Sequence, residues 1–174
     1  LLEHQLKYSL QKQIRQSSHP VKKRYFEALL RYANHRFALL WRCRFIRQLE
    51  RRKYPCWYVL DRTSSVRIGA HRIYASPDLA VLIQNKWHFV RFDMQNGPKK
   101  VCDELEANAM VLWAKHQGGF PQSETSYRLH TIGWRRGFWH TETYQPTKES
   151  VKQCLKLLDS DCKAMQEIHR YAGS

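Results

Sequence analysis

The sequence predicts a mixed α/β domain in which a single mixed β-sheet is flanked by helices. Apolar residues recur at helical spacing in residues 21–52, 101–117 and 147–168, whereas residues 57–93 and 127–144 contain shorter apolar runs bounded by turn residues. The predicted order of elements is α-α-β-β-β-α-β-β-α, which is typical of one sheet covered by helices. At 174 residues, the chain has the length of one domain.

The first third of the chain is predicted to be helical. Residues 4–16 are amphipathic, and Pro20 interrupts the pattern because proline disfavours helix in the residue before it. We predict one long helix over about residues 21–52. Its buried stripe is expected to contain Phe26, Leu29, Leu30, Ala33, Phe37, Leu40 and Trp41. We assign residues 1–56 as a basic helical segment packed on a core of residues 57–174, within one structural domain.

The middle of the chain predicts a β-hairpin with two carboxylates at its open end. Residues 79–83 are an unbroken apolar run, typical of a strand covered on both faces. Residues 84–86 predict a tight turn, and residues 87–93 the returning strand. In this hairpin residue 78 falls nearly opposite residues 92–93. We therefore expect the carboxylates of Asp78 and Asp93 to lie close together.

The last third predicts a helix, two strands and a second helix. The first helix is expected to bury one side, made of Val101, Leu105, Ala109, Leu112 and Trp113. Residues 127–132 and 138–144 predict the strands, joined by a turn bounded by glycines. Thr147 is expected to cap the last helix. The buried stripe of that helix is expected to contain Val151, Cys154, Leu155, Leu158, Cys162, Met165 and Ile168.

Charge is the clearest indication of a partner. The chain carries 30 Lys and Arg against 15 Asp and Glu, and residues 1–56 hold fourteen basic residues against three acidic ones. Such an uneven excess predicts a polyanionic partner. Nucleic acid is favoured over a membrane, because the basic segment is interleaved with core-type apolar residues and no run is long enough to span a bilayer. A surface that merely keeps the protein in solution is the alternative.

The five cysteines indicate buried thiols in a reducing, intracellular compartment such as the cytoplasm or nucleoid. They are odd in number and scattered, and no CxxC pair is present, which argues against a zinc ribbon or an iron–sulfur cluster. The first residues also lack the basic-then-apolar order of a signal peptide. Because the chain does not begin with Met, it is expected to be a fragment or a processed chain.

Two neighbouring carboxylates predict a site for a divalent metal ion. Asp78 and Asp93 repel each other unless they are protonated, solvated or bridged by a cation. Oxygen ligands suit Mg²⁺ or Mn²⁺, which can polarise a phosphodiester and activate a water molecule. Gln95 points to the same face as Asp93, because side chains alternate along a strand. The alternative interpretation is that both aspartates are solvated groups at strand ends.

The segments around these residues resemble the RecB-like branch of the PD-(D/E)XK nucleases. Residues 67–81 resemble the strand that leads to the first metal-binding Asp of the family, and residues 90–95 its second strand with the D-x-K element. The resemblance covers about residues 66–168. It implies a restriction-endonuclease-like core that hydrolyses phosphodiesters, those of DNA in preference to RNA, with Mg²⁺ or Mn²⁺ on Asp78 and Asp93.

One position departs from the family pattern. Gln95 stands where the family normally has a Lys, and Gln can hold a water molecule but carries no charge. A Lys from a neighbouring element can replace it, and Lys115 on the following helix is the preferred candidate. The other candidates are Lys86, Lys99 and Lys100. The family's upstream helix often adds a ligand, for which His35, Glu27 and Glu50 are candidates.

Two further functions remain open beside a metal-dependent nuclease. The Gln95 departure favours a nuclease-fold module that has lost cleavage and binds nucleic acid as a subunit of a larger DNA-processing complex. A basic protein–protein adaptor explains the charge less well.

The residues expected to contact nucleic acid lie in two places. The arginine-rich helix face provides Arg42, Arg47, Arg51 and Arg52, which we expect to contact the phosphate backbone with little sequence preference. In the second place, the turn between the last two strands, Trp134 can stack on a base while Arg135 and Arg136 contact phosphate. Alternatively, Trp134 anchors the turn to the core and the two arginines are solvated.

Overall fold

The computed structural model describes residues 2–51, 57–69, 71–93 and 100–172. Contacts divide the chain into two compact units. The helical unit contains Leu1–Lys53 and Trp134–Trp139, and the sheet unit contains Tyr54–Gly133 and His140–Ser174. Within the described ranges, no helix is both long enough and apolar enough to cross a membrane.

Three helices form most of the helical unit. They are α1 (Leu2–Gln16), α2 (Pro20–Leu40) and α3 (Arg44–Arg51). Pro20 occupies the first turn of α2, where its missing N–H leaves no hydrogen bond unmade and its fixed φ suits a helix. Helices α1 and α2 pack against each other. The prediction of a helix before Pro20 and another after it is confirmed.

The long helix predicted over residues 21–52 is wrong, because a turn separates α2 from α3. The Arg42 N–H donates to Leu39 O at 3.0 Å, and the Cys43 N–H donates to Leu40 O at 2.9 Å. In one continuous helix Phe37 and Ile46 would face opposite sides, since nine residues rotate the chain through about two and a half turns. The turn allows both side chains to be buried. It also leaves Trp41, predicted to be buried, exposed.

The sheet unit contains a five-stranded mixed sheet, as expected for the α/β class. The described strands of the chain are β1 (Trp57–Val59), β2 (Val66–Ile68), β3 (His71–Ile73), β4 (Leu79–Ile83), β5 (Lys86–Asp93), β6 (Tyr127–Arg135) and β7 (Phe138–Tyr144). The five strands of the mixed sheet run in the order β1-β4-β5-β6-β7, with β1–β4 and β4–β5 antiparallel and β5–β6 parallel. Two helices complete the chain, α4 (Lys100–His116) and α5 (Lys148–Ala172).

The prediction of a single sheet is wrong, since β2 and β3 pair only with each other among the described strands. The reason lies in their apolar side chains. Val66 belongs to the buried core cluster that contains much of α4, and Ile68 and Ile73 pack against that cluster. The small hairpin is therefore placed by its contact with the core and not by pairing with the main sheet.

Two-residue turns set the register of the hairpins. Gln84 and Asn85 join β4 to β5 with φ of 49° and 59°, and Arg136 and Gly137 join β6 to β7 with φ of 52° and 85°. Positive φ at both central residues is the type I′ turn, whose twist matches that of the flanking strands. Leu79 consequently pairs with Val90. The turn takes two residues instead of the three predicted, and the Asp78 N–H, just before the paired residues, donates to Val90 O at 2.9 Å.

Helix α4 lies in the core of the sheet unit. All eight residues from Ala107 to Ala114 are buried, together with Phe89, Tyr127 and Leu129 of the sheet. We expected one buried side, and a helix that is buried all round is one covered by neighbours on several sides. Here the core cluster joins α4 to the sheet and to Val151 and Cys154 of α5. Leu105, expected on the buried side, is instead exposed.

Helix α5 begins with the predicted cap but buries less than predicted. The Ser150 N–H donates to Thr147 Oγ1 at 3.1 Å, and the Thr147 N–H donates to Ser150 Oγ at 3.0 Å. Val151 and Cys154 of the first turns are buried, whereas Leu155, Met165 and Ile168 are exposed. The reason is length, because α5 has 25 residues and its neighbour α4 has only 17 to cover it.

The described thiols behave as core residues. Cys43 and Cys154 are buried and Cys162 is half-buried, and all three are free thiols. Burial raises the pKa of the Cys154 thiol to about 11, so it stays protonated and unreactive near neutral pH. This agrees with the predicted packing role of Cys154.

Candidate functional site

Asp78 lies directly before β4, and its carboxylate is surrounded by donors of the sheet unit. Arg62 donates through Nε to Oδ1 and through Nη2 to Oδ2, the latter at 2.8 Å. The Phe92 N–H also donates to Oδ2, at 2.7 Å. Only 5% of Asp78 is exposed. A buried carboxylate needs such partners to remain charged, and the paired guanidinium supplies a full opposite charge.

Asp93 shares a face of the sheet with Asp78. Arg91 Nη1 lies 4.0 Å from Asp78 Oδ1, and side chains two apart on a strand point to the same face, so Asp93 lies on the face of Arg91 and Asp78. Diagonal neighbours of this kind lie about 7–8 Å apart. Hydrogen bonding to Asp78, with the nearby charges of Glu106 and Asp93, raises the pKa of Arg62. The two predicted aspartates are thus gathered around one guanidinium.

A second arginine extends the network to helix α4. Arg91 Nε donates to Glu106 Oε1 at 2.5 Å, and Arg91 Nη1 donates to Ser76 O at 3.0 Å. Arg91 Nη1 also lies 4.0 Å from Asp78 Oδ1. Three carboxylates and two guanidinium groups therefore meet at this end of the sheet. We define these residues as the carboxylate network: Arg62, Asp78, Arg91, Asp93 and Glu106.

Sequence reasoning missed Arg62, Arg91 and Glu106. Arg62 lies in a loop sixteen residues before its partner, and no motif surrounds it. Glu106 lies on α4, and no motif of the sequence selects it. The available signal was the alternation of β5, which places Arg91 on the same face as Asp93.

The carboxylate network fits a divalent metal ion poorly. Both oxygens of Asp78 already accept hydrogen bonds from Arg62, and one also accepts from a backbone N–H. A metal ion would have to displace the guanidinium to reach them. Among the residues that the structure describes, no group of three or more His, Cys, Asp or Glu side chains has a metal-binding arrangement.

Lys115 and Lys86 are the two candidate replacements for Gln95 whose side chains the structure describes. Neither is placed at the carboxylate network. Lys115 Nζ donates to Glu124 Oε1 at 2.6 Å. It also lies nine residues beyond Glu106 on α4, about 13 Å along the helix axis. Lys86 begins β5, and Asp93 ends it. Gln95 and Lys99 lie outside the described residues, as does the side chain of Lys100.

The predicted phosphate contacts of the helical unit are exposed. Arg42 lies in the turn after α2, and Arg47 and Arg51 lie on α3. Arg135 and Arg136 lie at the tip between β6 and β7 and are exposed as well. Arg52 falls outside the described residues. All five described arginines are accessible to a large anionic partner.

Trp134 is buried, so the structure favours its interpretation as a core anchor. Its ring stands edge-on to the ring of Trp139, with the ring centroids 5.3 Å apart. The rings of Tyr32 and His35 of α2 also stand edge-on to it, at centroid distances of 6.4 and 6.5 Å. The guanidinium carbon of Arg36 lies 5.1 Å from the Trp134 centroid and 5.3 Å from that of Trp139. Trp139 Nε1 donates to Arg36 O at 2.8 Å. We call these residues the Arg36 cluster.

A partly buried chain of polar groups crosses three strands of the sheet. His88 Nδ1 and His130 Nε2 are 2.9 Å apart, and His130 Nδ1 lies 3.0 Å from Thr143 Oγ1. Burial lowers the pKa of His88 to about 4 and that of His130 to about 3. Positive charge on Arg128 adds to both shifts. Both rings are therefore neutral near pH 7, and the chain is suited to joining strands.

Comparison of the chain with protein-family models and with curated protein sequences gives no match. The charge, the carboxylate network and the exposed arginines are therefore the features that bear on its function.

Proposed function

We propose that this protein binds nucleic acid, DNA in the first place, through its basic helical unit, and that its carboxylate network does not cleave the bound strand. The observation that carries the second part is the engagement of both Asp78 oxygens by Arg62. The proposed function is that of a nuclease-fold module that binds DNA without cleaving it, as a subunit of a larger DNA-processing complex.

The binding part is supported by the distribution of charge. Fourteen basic residues stand against three acidic ones in residues 1–56. Helix α3 alone carries Arg44, Arg47 and Arg51 within eight residues. Phosphates of a nucleic acid attract such a surface, and the release of counterions makes the binding depend strongly on salt. Arginine is also well suited to phosphate, because its planar fork can donate two parallel hydrogen bonds.

The non-cleaving part is supported by the charge balance of the carboxylate network. The carboxylate network holds three negative charges, on Asp78, Asp93 and Glu106. It also holds two positive charges, on Arg62 and Arg91. The bound guanidinium neutralises repulsion between carboxylates, which is the effect that a divalent cation would otherwise provide. Asp78 is buried, so removal of Arg62 would leave its carboxylate without its principal charged partner. Binding of a metal ion is therefore favourable only if the ion stabilises the carboxylates by more than the Arg62–Asp78 pair does.

A metal-dependent nuclease is the second candidate, and one observation favours it. Asp78 and Asp93 share a face of the sheet, and the side chain of Arg62 is 47% exposed. An exposed loop arginine can swing into water at modest cost, so Mg²⁺ or Mn²⁺ could take its place. Under this candidate the aspartates hold the metal, and Gln95 or a lysine assists the attacking water.

One experiment separates the two candidates. Labelled single- and double-stranded DNA is incubated with the protein and Mg²⁺ or Mn²⁺, and binding and cleavage are followed in parallel. We expect salt-sensitive binding with no metal-dependent cleavage. The matched control is the Asp78→Asn/Asp93→Asn variant, which leaves the helical unit unchanged. Cleavage by the original protein that this variant loses would overturn the proposal in favour of the nuclease. Absence of binding even at about 50 mM salt would contradict both candidates.

A further inference from the structure

The β2–β3 hairpin turns one face to helix α5 and the other to solvent. Ile68, His71 and Ile73 line a cavity together with residues of α5. Because side chains alternate along a strand, Arg67 and Arg72 point to the opposite face. Both arginines are exposed. The outer face of this hairpin, which belongs to the sheet unit, therefore presents two guanidinium groups to solvent.

The register of the hairpin places these two arginines directly opposite each other. Arg67 pairs with Arg72, between the pairs Val66–Ile73 and Ile68–His71. The Cβ atoms of directly opposed residues lie about 4.5–5.5 Å apart, and like charges held in this way destabilise a pair of strands. Within the described ranges, neither guanidinium is paired with a carboxylate. An anion bound between them would turn this repulsion into attraction.

Phosphate is the anion that two adjacent guanidinium groups fit best. Each guanidinium can donate two parallel hydrogen bonds to phosphate oxygens, so the pair offers four donors. The phosphate of a monoester carries about −1.5 to −2 charges at pH 7 and presents three acceptor oxygens, whereas a phosphodiester in a nucleic-acid chain carries one charge. Two positive charges side by side therefore match a monoester better than a diester.

From this arrangement we propose that Arg67 and Arg72 form a binding site for a phosphate monoester on the outer face of the β2–β3 hairpin. Strand pairing fixes the spacing of the two arginines before the ligand arrives, so little order has to be gained on binding. Free nucleotides and the 5′ ends of nucleic-acid strands both carry such a group. The site goes beyond the proposed function, since it requires neither the basic helical unit nor the carboxylate network.

The first test is an NMR titration of the full chain with thymidine 5′-monophosphate, which follows the Nε–Hε signal of each arginine. The single variants Arg67→Gln and Arg72→Gln assign the two signals. We expect these signals to respond at a ligand concentration about tenfold lower than those of the exposed Arg42 and Arg47 of the helical unit. The matched ligand is the methyl ester of the same nucleotide, a phosphodiester, which should bind the hairpin about tenfold more weakly.

The second test compares two double variants that lose the same charge. Arg67→Gln/Arg72→Gln removes the opposed pair, and Lys86→Gln/Arg128→Gln removes two other exposed cations of the sheet unit. Without ligand, the first variant should unfold at the same temperature as the original protein or higher, because a repulsion is lost. At constant ionic strength, the nucleotide should raise the midpoint of the original protein and of the control equally, and that of Arg67→Gln/Arg72→Gln less.

Equal responses of the hairpin and helical-unit arginines, or equal binding of the monoester and its methyl ester, would overturn the site. So would an equal rise of the midpoint in all three proteins. A lower midpoint of Arg67→Gln/Arg72→Gln without ligand would contradict the repulsion on which the site rests.

The source of the phosphate is distinguished with two oligothymidines of about 15 nucleotides, labelled at the 3′ end, that carry a 5′-phosphate or a 5′-hydroxyl. Tighter binding of the phosphorylated strand that Arg67→Gln/Arg72→Gln loses assigns the site to strand ends. Equal binding of both strands, with the hairpin signals still responding to the nucleotide, assigns it to free phosphate esters. If neither strand binds at low salt while the hairpin signals still respond, the proposed function fails and this site stands.

Discussion

The carboxylate of Asp78 carries its charge inside the fold because Arg62 and the Phe92 N–H hold both of its oxygens. Replacing Asp78 by Asn keeps the size of the side chain and removes the charge. We expect the free energy of unfolding to fall by about 1–3 kcal/mol, since hydrogen bonds to charged groups contribute in that range and Arg62 is partly screened by water. Urea denaturation followed by circular dichroism measures this change.

Asp159→Asn is the matched control for that substitution. Asp159 pairs with Lys163 one turn further along α5, and both side chains are largely exposed. Exposed ion pairs of this kind contribute little to stability. We expect no measurable change in the midpoint of unfolding. An equal effect of the two substitutions would show that Asp78 is no better held than a surface carboxylate.

The His88–His130 pair makes stability depend on pH. Burial lowers the pKa of His88 to about 4 and of His130 to about 3, below the ordinary value of 6.5. Between those values the unfolded chain binds protons that the folded one does not, so stability falls as pH falls from about 6.5 towards 4. We expect the midpoint of urea unfolding to decrease between pH 7.5 and 5.5, above the range in which most carboxylates titrate.

His130→Gln removes one of the two titrating rings and keeps a polar side chain. We expect a smaller decrease between pH 7.5 and 5.5 for this variant than for the original protein. His4→Gln, at an exposed position of α1, should leave the decrease as it is. A pH profile that His130→Gln does not flatten would assign the dependence to other groups.

Among the elements, α5 shows how much a local signal can predict. Thr147 precedes the helix, and its hydroxyl oxygen accepts the Ser150 N–H as expected of a cap. Thr147→Ala removes that acceptor. We expect a loss of about 1 kcal/mol in the free energy of unfolding, measured by urea denaturation.

Ser160→Ala serves as the control for the cap, because Ser160 is exposed in the middle of the same helix. Alanine has the higher helix propensity there, so stability should stay equal or rise slightly. A loss for Ser160→Ala as large as for Thr147→Ala would show that the Thr147 effect is not one of capping.

The start of α5 and the break between α2 and α3 differ in what determines them. The cap depends on contacts between residues a few positions apart, so a local pattern predicts it. The break at Trp41–Cys43 allows Phe37 and Ile46 to be buried together. No local propensity indicates that choice, because it depends on what the rest of the helical unit offers to each side chain.

At the scale of the molecule, the basic surface should determine the salt dependence of nucleic-acid binding. Neutralising the exposed arginines in Arg42→Gln/Arg47→Gln/Arg51→Gln should weaken binding. It should also reduce the slope of log affinity against log salt by about two to three units, about one for each phosphate that the variant no longer neutralises. Fluorescence anisotropy titrations with a fluorescein-labelled oligothymidine at several salt concentrations measure the slope.

The control removes the same charge from the sheet unit. Arg67, Arg72 and Lys86 are exposed there, and replacing all three by Gln changes the net charge equally. We expect a much smaller change of slope. Equal slopes for the two triple variants would mean that net charge, and not the helical unit, attracts the nucleic acid.

The sequence by itself determined the α/β class, which segments are mainly helical and which contain strands, the cap of α5 and the uneven charge. Each depends on composition or on residues close together in the chain. Other features were decided only by the tertiary structure. Arg62 donates hydrogen bonds to both carboxylate oxygens of Asp78. Trp134 is buried while Trp41 and Phe138 are exposed, and the end of α5 is exposed. These features depend on partners far apart in sequence: Arg62 lies 16 residues from Asp78, and Trp139 lies 103 from Arg36. Such contacts form only when the chain folds, and no local pattern encodes them.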